Sequence, residues 1–401
     1  MTDAPTLLIT VTGQDRRGVT AAMFRTLSTF PVEVVDIEQI VLRGRLVLGI
    51  LITAPPDCSR LDACIREAAA SMDMDVEVVR GAGDNDRRSQ GRAHVTVLGH
   101  PLSPRAVAGI AGRTADTGAN IDRIVRVARY PVTAIEFDVS GANIARLRAV
   151  LAAEAAIQRV DVAVQPAGLL RHGRRLVVMD MDSTLVRGEA IDLLATHAGV
   201  GAEVAALTER AMSGELDFAT ALRARVGLLA GLDADVLDRV YDAIELTPGA
   251  RTLVRTLKRL GYRFAIVSGG FNRLADRLAG ELGIDYAQAN ELEIVGGRLT
   301  GRIVGDVLDR AGKAAALRRF AADAKIALDQ TVAIGDGAND VDMLTTAGLG
   351  IAFNATPSVR QAAHTAVNFP YLDAILFLLG ISREAIEAAD EADAAPAQGT
   401  A

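Results

Sequence analysis

The stretch Arg175-Leu176-Val177-Val178-Met179-Asp180-Met181-Asp182-Ser183-Thr184-Leu185-Val186 decides how this chain is read. Its apolar run from Leu176 to Met179 has no polar interruption, the pattern of a parallel strand buried on both faces. The run stops at two carboxylates one residue apart, Asp180 and Asp182, followed by the hydroxyls of Ser183 and Thr184. In an open α/β sheet, ligands gather at the carboxyl ends of the strands, so both acids stand where chemistry would occur. Two carboxylates this close repel each other unless a cation or a shared proton intervenes. The stretch therefore predicts a hard metal ion, Mg²⁺ foremost, and a phosphate-like ligand with it. Taken alone, Asp182 or Ser183 could equally start a helix, so the rest of the chain has to decide.

Downstream, Glu189 to Leu246 carries apolar residues at helical spacing, which predicts an all-helical insertion placed as a lid on the first strand end. Tyr262 to Val267 reads as a second buried strand, ending in Ser268-Gly269-Gly270-Phe271, with a helix from Asn272 to Leu282. A hairpin is expected over Leu292 to Thr300, turning at Gly296-Gly297. A helix from near Ala311 carries Lys313, and a third buried strand, Gln330 to Ile334, runs into Gly335-Asp336-Gly337-Ala338-Asn339-Asp340. Gly350 to Phe353 adds a strand and Tyr371 to Leu379 a closing helix. The acidic, alanine-rich residues 385–401 predict a disordered tail.

Upstream, residues 1–80 follow the order β-α-β-β-α-β, a ferredoxin-like unit. Gly81 to Arg92 is polar and glycine-rich, a linker, and residues 93–166 repeat the same order, an internal duplication. With residues 172–384 as the third domain, the expected class is α/β, since 401 residues exceed what a single core sustains. A net charge of −7 without a basic run argues against nucleic acid as a partner. The opening Met-Thr-Asp-Ala-Pro has no signal-peptide pattern and no apolar stretch reaches membrane-spanning length, so a cytoplasmic protein without a membrane partner is expected. Cys58 and Cys64 fit neither a disulfide framework nor a zinc spacing.

Three strands thus end in Asp-x-Asp-x-Thr, Ser-Gly-Gly and Gly-Asp-Gly-x-Asn-Asp, with the Lys313 helix before the third. This order resembles the haloacid dehalogenase-like phosphohydrolases over Arg175 to about Ile381. Within them the likeness is to the phosphoserine phosphatase family, carried by Asp180 to Glu189, Met212 to Val226, Ser268 to Phe271 and Gly335 to Met343. The duplicated units resemble ACT domains, regulatory modules that often bind amino acids. In the first copy the likeness rests on Thr12-Gly13-Gln14-Asp15-Arg16-Arg17-Gly18-Val19. The second copy departs there, with Leu98-Gly99-His100-Pro101-Leu102-Ser103-Pro104, though Gly118-Ala119-Asn120-Ile121-Asp122 keeps the likeness at its second strand.

The resemblance implies a Rossmann-like catalytic domain with a helical cap at about 189–246, preceded by two ferredoxin-like ACT domains. It further implies Mg²⁺-dependent hydrolysis of O-phospho-L-serine, the last step of serine biosynthesis, through an aspartyl-phosphate on Asp180 with Asp182 as proton donor and acceptor. Asp180, the main-chain carbonyl of Asp182 and Asp336 would hold the metal; Ser268, Gly269 and Lys313 would bind the phosphoryl group; Asn339 and Asp340 would support metal waters and the lysine. Glu189 and Arg225 match the positions that meet the substrate's ammonium and carboxylate, with Met212 and Phe218 as an apolar wall. In the first ACT-like copy, Asp15 and Gly18 would serve an amino-acid effector, serine foremost, and exposed edge strands suggest a homodimer. A phosphatase or phosphotransferase for phosphohomoserine or phosphothreonine, and a chiefly regulatory amino-acid sensor, remain open at this point.

Overall fold

The computed structural model describes residues 4–83, 90–168, 171, 173, 175–212 and 215–394, except for the side chains of residues 212 and 394. The chain forms two compact units, Met1–Ser89 and Gln90–Ala401. Among the described residues no helix is long and apolar enough to cross a membrane.

The first unit contains β1 (Pro5–Gln14), β2 (Val34–Leu42), β3 (Arg45–Thr53) and β4 (Met74–Ala82), with helices Val19–Leu27 and Cys58–Ser71. Its antiparallel order, β2-β3-β1-β4, is the expected ferredoxin-like sheet. Alternation decides which side chains are buried: Leu7, Ile9 and Val11 join Leu46, Leu48 and Ile50 under Val19, Met23, Leu61 and Ile65 of the helices. The other face stays open, with Leu8, Val47 and Val79 exposed, as are Ile37 and Ile40 of the edge strand.

The second unit opens with the repeat: β5 (Ala93–Gly99), β6 (Asn120–Ala128), β7 (Thr133–Ser140) and β8 (Asp161–Pro166) in the order β6-β7-β5-β8. Val95, Val97, Phe137 and Val139 pack under helices Pro104–Asp116 and Ile144–Gln158. Here the opposite face is covered. Leu98, Ala134 and Ala163 belong to one apolar core with the domain that follows, and the Gln165 amide donates to the Leu378 carbonyl at 2.6 Å.

That domain is built on β9 (Leu176–Met179), β10 (Arg263–Phe271), β11 (Tyr286–Val295), β12 (Arg298–Val304), β13 (Thr331–Gly335), β14 (Leu349–Phe353) and β15 (Thr365–Val367), ordered β12-β11-β10-β9-β13-β14-β15. β9 lies at the centre, parallel to β10 and β13. Its side chains alternate between two buried layers, Leu176 and Val178 on one side, Val177 and Met179 on the other. Burial on both faces is why the run has no polar member. The chain leaves β9 for β10 on one side and later returns to β13 on the other, so the strand order reverses beside β9 and opens a crevice there. Helices Ala190–Ala198, Gly201–Met212, Phe218–Gly227 and Val236–Ala243 form the expected cap, and the β11–β12 hairpin grips it through Leu299, which exchanges main-chain hydrogen bonds with Gly231 and Leu232.

The tail differs from expectation. Arg383–Ala394 is a helix, with Ile386 buried and Asp390 and Asp393 paired to Arg259. Its acidic residues, read from composition as solvated, meet arginines of the helix Ala250–Arg259; residues 395–401 lie outside the described residues.

Candidate active site

Asp180 ends β9, and the chain then makes one wide turn closed by the Val186 N–H on the Met181 carbonyl. Within it Ser183 takes φ 55°, a left-handed conformation that costs a non-glycine residue about 1–2 kcal/mol. The turn brings the carboxylate of Asp182 back over the strand ends. There it accepts from the Ala190 N–H at 2.8 Å and from the Ser268 hydroxyl at 3.0 Å. Ser268 in turn accepts from the Gly270 N–H at 2.8 Å. A Cβ on Gly270 would stand 2.6 Å from Asp182 Oδ2, so only glycine allows this approach.

Lys313 is fully buried, one turn into the helix Arg310–Asp323, whose start is capped by Asp309 accepting from the Gly312 N–H. Its Nζ lies 2.8 Å from Asp180 Oδ2 and 2.7 Å from Asp340 Oδ1. Burial alone would lower this amine, but the two carboxylates outweigh it and raise it above its ordinary value. Asp340 Oδ2 accepts from the main-chain N–H groups of Asp336 and Gly337, and Thr184 donates to Asp336 Oδ1 at 2.7 Å. Both oxygens of Asp340 are thus engaged, which suits a supporting role.

The cap supplies the other wall. Phe218, Leu222 and Arg225 recur at helical spacing on Phe218–Gly227, started by Asp217 as N-cap, and so share one face. With Asp180, Asp182, Glu189, Ile191, Gly269, Asp336 and Asn339 they line a cavity of about 90 Å³, a size for a small ligand. Arg225 reaches Thr208 Oγ1 at 3.4 Å, while its buried Nε has no hydrogen-bond partner among the described residues. Burial lowers this guanidinium, opposed by Glu189. Glu189, at the mouth, receives the Ser183 hydroxyl, and burial raises its carboxyl.

Burial shifts the protonation of the acids. Burial, with Asp340 nearby, raises Asp180 well above the usual carboxylate range despite Lys313. Burial and Glu189 push Asp182 up to about 7, and burial pushes Asp336 up to about 6. Among the described residues the cations at these five carboxylates are Lys313 and Arg225, so a further cation would relieve the site. Oxygens of Asp180, Asp336 and Asp340 lie within 4.8 Å of one another, a cluster of hard oxygens that fits a divalent ion, with Asp340 itself engaged by Lys313 and main-chain N–H groups. The Asp182 carboxylate is turned to Ser268 and Ala190.

Every expected catalytic-domain residue with a described side chain is brought to this point; Ser268 and Lys313 lie buried behind the lining. The side chain of Met212 lies outside the described residues. Asp15 and Gly18 sit in the first unit, where Gly18 at φ 94° opens the helix Val19–Leu27 with no side-chain cap. In the second repeat Ser103 caps the corresponding helix by accepting from Ala106 N–H. Sequence reading assigned no role to Thr184, Ile191, Leu222 or Asn290. The first two lie inside or next to the Asp180–Glu189 motif, a signal that was present, whereas nothing local marks Asn290.

A parallel sheet whose strand ends bring two acids, a hydroxyl, a buried lysine and a further acidic loop under a helical cap defines a haloacid dehalogenase-like hydrolase. The family model of that description matches residues 177–345, and ACT domain models match residues 5–79 and 92–165. A phosphoserine phosphatase of Streptomyces coelicolor is 60% identical over 390 residues, covering 97% of this chain and 95% of that protein. One from Mycobacterium tuberculosis is 49% identical over 392 residues, covering 96% of each. The solved probable phosphoserine phosphatase of Vibrio cholerae, in unliganded form, is similar at TM-score 0.57 and 36% identity, over 74% of this chain and 88% of that one. The chain belongs to the phosphoserine phosphatase family, enzymes with a haloacid dehalogenase-like domain, here preceded by two ACT domains.

Proposed function

We propose that this chain hydrolyses O-phospho-L-serine to L-serine and phosphate, with Mg²⁺ as its metal, as the last step of serine biosynthesis in the cytoplasm. The observation that carries the reading is a single small cavity in which Asp180 and Asp182 face a Glu189–Arg225 pair of opposite charge. Phosphoserine presents a phosphate to the first pair and an ammonium and carboxylate to the second.

Asp180, aligned by Lys313 and the Met181 N–H, attacks phosphorus, and the bond to the serine oxygen breaks. Asp182, pushed up to about 7 by burial and Glu189, is poised to hold a proton near neutral pH and delivers it to that oxygen. It then takes a proton from the water that cleaves the aspartyl-phosphate, regenerating Asp180. Lys313 and the donors of the Ser268–Gly270 loop offset charge on the transferring group. Asp180, Asp336 and the Asp182 carbonyl would hold Mg²⁺, which would supply positive charge where the two anions meet. Glu189 receives the ammonium and Arg225, with its unpartnered buried Nε, the carboxylate. Phe218 excludes water.

The first ACT domain is proposed to bind serine at the Asp15–Gly18 turn, where an uncapped helix start suits a carboxylate. A homodimer would cover the exposed apolar side chains of β2. The test is phosphate release from a panel of phosphomonoesters with and without Mg²⁺. Selective, Mg²⁺-dependent turnover of phosphoserine is expected; preference for a compound lacking the amino-acid backbone would overturn the assignment.

A further inference from the structure

Asn290 lies on β11, is 2% exposed, and has no described side-chain hydrogen bond to a reacting group. Its amide nevertheless joins two segments that do. Nδ2 donates to the Gly269 carbonyl at 2.8 Å, and Oδ1 accepts from the Leu308 N–H at 2.7 Å. Gly269 belongs to the irregular end of β10 that lines the cavity, called here the Ser268–Gly270 loop, and Leu308 immediately precedes Asp309, the cap of the helix that carries Lys313. In a planar trans peptide the C=O and the following N–H point in opposite directions. Holding the Gly269 carbonyl outward, toward Asn290, therefore aims the Gly270 N–H inward, where it meets Ser268 Oγ and orients the hydroxyl donated to Asp182. Gly269 has no side chain to hold this peptide, and β10 and β11 lose regular pairing between Val267 and Phe271, so the sheet does not hold it either.

We infer that Asn290 is a positioning residue for phosphoryl transfer: one buried amide sets the peptide plane of the Ser268–Gly270 loop and fixes that loop against the Lys313 helix. Resting on the reading of this loop and Lys313 as the phosphoryl-binding groups, it adds the element that keeps the two in register. No other side chain with a described hydrogen bond links them.

The full-length protein is compared with Asn290→Ala, Asn290→Ser and Asn290→Asp, in saturating Mg²⁺, with thermal midpoints recorded alongside. For Ala and Ser, kcat for phosphoserine is expected to fall by about 10–100-fold, as when pre-aimed donors are lost, with KM moved by less than about threefold. Asn290→Asp separates positioning from bulk stability. At pH 8 its carboxylate cannot donate to the Gly269 carbonyl; once protonated, it donates through O–H while its other oxygen accepts from Leu308. The ratio of Asp-variant to wild-type kcat should therefore rise about tenfold or more as pH falls from 8 to 5.5, since burial raises such a carboxyl. Folded Ala or Ser variants with kcat within threefold of wild type, a loss confined to KM, or a pH-independent Asp ratio would each overturn the inference. Should only one variant be recovered folded, its kcat and KM decide. A wild type that releases no phosphate would instead count against the proposed function and not against Asn290.

Discussion

Asp180 and Asp182, separated by one residue, are proposed to carry different tasks because their neighbours differ. Asp180 faces Lys313, which opposes the rise that burial causes, whereas at Asp182 burial and the charge of Glu189 favour the protonated form against the hydrogen bonds from the Ser268 hydroxyl and the Ala190 N–H. Asp180→Asn should cut turnover by roughly 10⁴-fold or more and leave no trappable aspartyl-phosphate, since an amide is a poor nucleophile. Substantial residual turnover in acid-quench experiments would remove Asp180 from its role. Arg225 tests specificity at the same scale. Arg225→Ala should lower kcat/KM for phosphoserine by about 10²-fold, the loss of a charge-assisted pair worth ~2–3 kcal/mol, chiefly through KM. Phosphoethanolamine, which lacks the carboxylate, should be hydrolysed as before; an equal loss on both would make Arg225 structural.

Among the elements, the helix Arg383–Ala394 and the strand pair β8 and β15 show what packing adds. The ion pairs of the helix are exposed and worth little each, so its docking rests on Ile386. Ile386→Ala should therefore cost about 2 kcal/mol or more in denaturant unfolding, against no effect for a frayed tail. At β8, Asp161 accepts from both the main-chain and side-chain N–H groups of Asn368, just beyond β15. Burial still pushes it up to about 6 from 3.8. Because the folded value lies above the unfolded one, the associated stability is full below about pH 4 and lost as pH rises through about 6. Stability of the wild type relative to Asp161→Asn should thus fall by about 2 kcal/mol between pH 4.5 and 8. A pH-independent difference would show that Asp161 is ionised at little cost.

At the scale of the molecule the two ACT domains have diverged in use. The first has its own core and an open sheet face, while the second gives the same face to the catalytic domain. Deleting residues 1–83 should leave a folded, active phosphatase without serine regulation. Deleting residues 1–170 uncovers the apolar surface that received Leu98, Ala134 and Ala163 and should lower solubility and thermal midpoint. If the shorter deletion is inhibited by serine just as the full chain is, the inhibition is product competition at the active site and the first domain has no such role.

The sequence by itself determined the strands that carry chemistry and their motifs. A strand buried on both faces must be apolar throughout, so Leu176 to Met179 announces itself, and the residues that follow it are by topology at the site. The ferredoxin-like repeats and the helical cap were legible for the same reason, from period two and period 3.6. Only the tertiary structure decided the rest. Asn290 acts on Gly269 and Leu308, 21 and 18 positions away, through directions of peptide planes that no local pattern encodes. The tail's acids look solvated until Arg255 and Arg259 are brought beside them. The two repeats share an element order, yet only packing reveals that one leaves its sheet face open while the other builds its face into the catalytic core, because burial is a property of what lies opposite a side chain.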